Sequence, residues 1–117
     1  MKEPSLEIMK QLFGDAVEEQ IQEKETASPE VWKFVEDVAV DQIWSRKGLD
    51  LKQKSLVTIS SQIALERWDQ VELHMGSYLH LGGRVAELRE VVIHLSIYCG
   101  FPVMIRASEV LNKVTRE

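Results

Sequence analysis

The chain has 117 residues and 13.4 kDa, with 19 acidic against 14 basic side chains. Its net charge of -5 argues against nucleic acid, which needs Lys and Arg in surplus on one face. At 44% hydrophobic and with three prolines it is neither disordered nor fibrous, and its length suits a single domain, 1–117, with a modest core.

Residues 5–13 place Leu6, Met9, Leu12 and Phe13 on one face of a short amphipathic helix, interrupted by Gly14-Asp15. The charged stretch AVEEQIQEKETAS is weakly periodic and reads as a loop or a frayed helix. Ser28-Pro29-Glu30 is a helix start: N-cap, proline at N1, acid in the first turn. Val31, Trp32, Val35, Val38, Ala39 and Ile43 then form a stripe as far as Gly48. Asp50 opens the next helix, with Gln53 at capping-box spacing and Leu56, Ile59 and Ile63 as its core face. Its small residues Ser55, Ser60, Ser61 and Ala64 permit close helix packing.

From Glu66 to Pro102 the sequence reads as two helices joined at Gly82-Gly83. Asp69 and Glu72 have capping-box spacing, with Trp68 and Leu73 as a hydrophobic staple. The second helix runs to about Cys99, where Gly100 stops it and Pro102 can open another. No stretch alternates with period 2, so the expected fold is all-α, a bundle of five to six helices. This region carries all three histidines, both tyrosines and the only cysteine, and any chemistry is expected here. A lone cysteine excludes an internal disulfide and suits a reducing cytoplasm. MKEPSLEIMK lacks an apolar h-region and no run nears the ~18 apolar residues of a membrane span, so a cytoplasmic chain without membrane contact is expected.

At 100° per residue, Val71, Met75 and Tyr78 share one face of the first central helix, with His74 at its edge and His80 pointing about 120° away from His74. On the second, Leu88, Val91, Val92, Leu95 and Cys99 form the inward stripe, flanked by Glu87, His94 and Tyr98. Ile93 and Ile97 lie opposite it. A helix apolar on two sides is buried on two sides, which in so small a chain points to another subunit.

The segments GLDLKQKSLVTIS, ELH and LREVVIHLSIYCGFP resemble the carboxymuconolactone decarboxylase family over roughly residues 30–110, most specifically from Glu90 to Tyr98-Cys99-Gly100-Phe101-Pro102. The resemblance implies an alkylhydroperoxidase-D-like all-α fold, assembled as homo-oligomers, usually ring-shaped hexamers. Two departures stand out. Where peroxidase members carry C-x-x-C-x-x-x-H, this chain has Arg67 and Gln70, leaving only His74. Thiol redox chemistry needs a thiolate and a resolving partner, so that branch is excluded unless Cys99 has an unexpected role. The usual Thr-Pro opening of the second central helix is Arg84-Val85, a weaker cap.

The activity the resemblance implies is cofactor-independent decarboxylation of a small carboxylated acid, 4-carboxymuconolactone giving 3-oxoadipate enol-lactone and CO2, in aromatic catabolism. His74 is then the general acid, Tyr98 the enolate's hydrogen-bond donor, and Lys54, Glu90, His94 and Arg106 the substrate-binding residues. Each also has a plainer reading. His74 can be a histidine satisfied at a helix contact, and Tyr98 a buried tyrosine with an ordinary partner. Glu90 and His94 can be a structural i,i+4 pair, while Lys52, Lys54 and Arg106 can be solvated helix-end charges. His80 reads as a surface or interface residue and Cys99 as a small buried hydrophobe. No metal site is expected, since no two of His74, His80, His94 and Cys99 have i,i+4 spacing on one helix. The alternative function is a non-catalytic, oligomeric small-molecule-binding or scaffold protein.

Overall fold

Glycines and prolines set several of the helix boundaries. In a computed structural model, which describes residues 1–116, Gly14, Gly82 and Gly100 each follow a helix with positive φ, where only glycine avoids strain. The helices are α1 (Ser5–Phe13), α2 (Val17–Ala27), α3 (Pro29–Phe34), α4 (Leu51–Ala64), α5 (Trp68–His80), α6 (Val85–Cys99) and α7 (Phe101–Arg116). A π-helical stretch, Val35–Trp44, continues α3. Among the described residues there are seven α-helices and no strand, so the class is all-α with more helices than the five or six expected.

The chain divides into two compact units, Met1–Leu51 and Lys52–Glu117. In the first, Leu6, Val17 and Ile21 are buried together, with Met9, Phe13 and Trp32 packed against them. The segment read as a loop or frayed helix is α2. Val17 and Ile21, at i,i+4, suffice to anchor it because Glu, Gln and Lys are strong helix formers. Lys24 Nζ adds a cation–π contact, 5.7 Å from the Trp32 ring.

The stripe expected from Val31 to Ile43 is a core face only in part, with Trp32 packed against the first unit's core. Val31, Val38 and Ile43 are exposed, whereas Val40 and Glu36 are buried. The π-helical turn explains the shift: the Ser45 N–H donates to the Val40 carbonyl five residues back, at 3.0 Å, so a 3.6-residue wheel fails here.

In the second unit Ile59, Ile63, Val71, Met75, Tyr78, Leu88, Val92, Ala107, Val110 and Leu111 form one buried cluster. These come from α4, α5, α6 and α7, and the α4 and α6 stripes fall where the wheel put them. Each such aliphatic side chain contributes about 1.5–3 kcal/mol on burial. α5 begins at Trp68, not after an Asp69 cap; its N-cap position is Arg67, with no side-chain cap bond. The staple is likewise absent, because Trp68 packs against the core while Leu73 is exposed. Instead Trp68 lies under the Arg106 guanidinium of α7, 5.6 Å from its ring centroid, and Glu72 pairs with Lys113 at 2.7 Å.

The α5–α6 corner is held by a lock of four residues. The Tyr78 ring lies against Gly83 so closely that any Cβ there would overlap it. The Tyr78 hydroxyl donates to Glu87 Oε1 at 3.0 Å, and the Arg84 N–H donates to the same oxygen at 2.9 Å. Glu87 thus supplies half of a capping box for α6 and compensates for the missing Thr-Pro start.

Candidate active site

All six residues singled out from the sequence, Lys54, His74, Glu90, His94, Tyr98 and Arg106, lie in the second unit. His74 sits on α5 beside the buried Val71, Met75 and Tyr78. It is half-buried, with Nδ1 shielded from solvent. Burial alone holds its imidazole below the ordinary value of 6.5, because desolvation disfavours the cation. His80, at the end of the same helix, is exposed.

Ser77 enlarges this picture. It too is buried, about 60° round the helix from His74 on the side away from Tyr78. The buried arc therefore runs from Ser77 past His74 to Val71 and Met75, so His74 stands within it, not at its edge. The periodicity of apolar residues could not reveal this, since serine is not counted as core; its i,i+3 spacing from His74 was the available signal.

α6 presents its candidates outward. Tyr98 is 74% exposed, and so is not the buried tyrosine of the plainer reading. Its ring meets that of His94 at 5.6 Å, tilted by 49°. Glu90 and His94 are exposed on neighbouring turns. The α5 face around Met75 packs with Leu88 and Val92 of α6 and not with Tyr98. Within one chain, therefore, the structure pairs His94 with Tyr98 and leaves that pair outside the core that His74 borders.

The basic candidates differ from each other. Arg106 is exposed, stacks on Trp68 and lies 3.8 Å from Glu109, which gives it a packing role. Lys54 is half-buried on α4, where its carbonyl accepts the Thr58 hydroxyl at 2.9 Å. Cys99 is half-buried at the end of α6. Among the described residues no three His, Cys, Asp or Glu side chains gather closely enough to hold a metal ion. No described helix is long and apolar enough to cross a membrane.

An all-helical chain with a shielded histidine on one of two glycine-hinged helices defines a class, and the sequence narrows it. The carboxymuconolactone decarboxylase family matches residues 29–113, and the chain belongs to that family. It is 37% identical over 75 residues to the nitrosuccinic acid decarboxylase of Metarhizium robertsii, covering 64% of this chain and 52% of that protein. It is 28% identical over 113 residues to the 4-carboxymuconolactone decarboxylase of Acinetobacter baylyi, covering 96% of this chain and 84% of that one. The chain thus spans about half the length of the first relative.

Proposed function

We propose that this protein is a cofactor-independent decarboxylase of a small carboxylated acid, with His74 as the proton donor. The observation that carries the reading is the half-buried imidazole of His74, its Nδ1 shielded, within the buried arc of α5, in a chain similar to two proteins named decarboxylases. In the reaction the carbon–carboxylate bond breaks, CO2 leaves, and the electron pair passes into a conjugated acceptor on the substrate to give an enolate-like anion. His74 Nε2–H then protonates that carbon and regains a proton from water. A depressed imidazole pKa makes the cation a stronger acid, at the cost of a smaller protonated fraction near neutrality.

Lys54, half-buried on α4, and Arg106 on α7, whose guanidinium also stacks on Trp68, are the cations we assign to the substrate carboxylate. Tyr98, His94 and Glu90 reach a site only from a neighbouring copy, which fits a homo-oligomer, most simply a hexamer. The substrate we favour is 4-carboxymuconolactone, in a cytoplasmic pathway of aromatic catabolism. Release of CO2 by the intact protein, measured with 4-carboxymuconolactone and separately with nitrosuccinic acid, tests this. Turnover of either supports a decarboxylase and selects the substrate; turnover of neither contradicts both assignments. The exposure of Tyr98, His94 and Glu90 favours a second reading, a binding or scaffold member. It predicts saturable binding of those acids without CO2 release.

A further inference from the structure

The second unit contains several helical hydroxyls, and four of them turn back on their own helix. Thr58 donates to the Lys54 carbonyl at 2.9 Å, Ser61 to Thr58 at 2.8 Å, Ser96 to Ile93 at 2.6 Å and Thr115 to Leu111 at 3.0 Å. Ser77 does not. The residue is 2% exposed and its Oγ makes no hydrogen bond among the described residues. A buried hydroxyl without a partner is costly, so it calls for an explanation in place of the usual back-bond.

The place of Ser77 supplies one. Residues three apart on a helix are surface neighbours, with Cβ atoms about 5–6 Å apart. Helical side chains also lean toward the N-terminus, so Ser77 leans toward the turn that carries His74. The Nδ1 nitrogen of His74 is shielded from solvent. Ser55 on α4 is also buried with an unmade hydroxyl, but no histidine lies one turn from it on its helix.

We infer that Ser77 is a positioning residue whose Oγ accepts a hydrogen bond from His74 Nδ1–H, leaving Nε2 as the working nitrogen. A change of the Ser77 χ1 between staggered wells is the only motion invoked. The inference deepens the reading of His74 as proton donor. Once Nε2–H has protonated the substrate carbon, the neutral ring left behind is the Nδ1–H tautomer, the form that the Ser77 oxygen stabilises. The hydroxyl thus holds the ring in one orientation through both protonation states.

The test is ring-nitrogen NMR of the intact protein labelled with 15N-histidine, above the pKa of His74 so that the ring is neutral. In the wild type His74 is expected as the Nδ1–H tautomer, and in Ser77→Ala it shifts toward Nε2–H, with spectra of His80 and His94 unchanged. The pair Ser77→Thr and Ser77→Val, matched in shape, keeps and removes the hydroxyl; Thr should retain the wild-type tautomer and Val should lose it. Where decarboxylation is measurable, Ser77→Ala should lower kcat about five- to tenfold, the size of one neutral hydrogen bond, with KM little changed. A tautomer that is Nε2–H in the wild type, or that is the same in all four proteins, overturns the inference even if kcat falls. A tautomer shift in a protein that releases no CO2 upholds it while removing the decarboxylase reading.

Discussion

Glu87 shows how one carboxylate can do the work of a missing cap. It accepts the Arg84 N–H and the Tyr78 hydroxyl, with the Arg84 guanidinium 3.6 Å away. The Arg84 backbone bond first, then the Tyr78 hydroxyl, hold its carboxyl below the ordinary 4.5. A group with a depressed folded pKa stabilises the fold above its unfolded value, and that contribution is lost as pH falls through the folded pKa. Glu87→Gln should therefore lower the urea midpoint at neutral pH, and its deficit against wild type should shrink as the pH is taken well below 4.5. A deficit independent of pH would rule out the charge as its source. The sequence puts Ile93 and Ile97 on the face of α6 opposite its core stripe, and within one chain they are exposed there. It could not show that Ser77 was buried or that Tyr78 and Glu87 met, because both depend on how close two helices come.

At the scale of elements, the helix ends were legible wherever glycine or proline made them, at Gly14, Pro29, Gly82 and Gly100. The errors have physical causes. α2 is helical despite its weak periodicity because two buried apolar residues on a run of strong formers are enough, and from Val35 to Ile43 the stripe departs from a 3.6-residue wheel because the backbone there widens into π-helix. The α5–α6 corner depends on a residue the sequence marked only as a turn. Gly83→Ala places a methyl inside the Tyr78 ring, which must move and weaken its bond to Glu87. We expect a loss of about 1–3 kcal/mol by denaturant titration, as for overpacked sites. Gly76→Ala, where a Cβ meets open space, should by comparison be neutral or stabilising, since alanine is the better helix former. Equal stability of Gly83→Ala and wild type would contradict the close approach.

For the molecule as a whole, the exposed apolar residues of α6 and α7 are too many to be incidental. Ile93 is 49%, Ile97 73%, Phe101 65% and Ile105 56% exposed, and a groove lined by Arg89, Ile93, Ile105 and Glu109 runs between the two helices. Large exposed apolar patches mark interaction surfaces. On the proposal of a homo-oligomer, light scattering should give a multiple of 13.4 kDa, and Ile97→Asp should dissociate or aggregate the assembly, because an unpaired charge in an apolar interface is costly. A monomer mass for the wild type would remove the second-copy role given to Tyr98 and His94.

The central claim is that His74 protonates the carbon from which CO2 has left. Its most direct test is the rate of CO2 release from 4-carboxymuconolactone against pH for wild type, His74→Gln and His80→Gln. The account predicts that His74→Gln lowers the rate about 10²-fold, the effect of losing one general acid, with folding and oligomer size unchanged. His80→Gln, exposed at the helix end, should match wild type. Because burial lowers the His74 pKa, the wild-type rate should fall as pH rises through a value below 6.5, and His74→Gln should lack that limb. Equal rates for wild type and His74→Gln, or a limb that survives the substitution, would contradict the account.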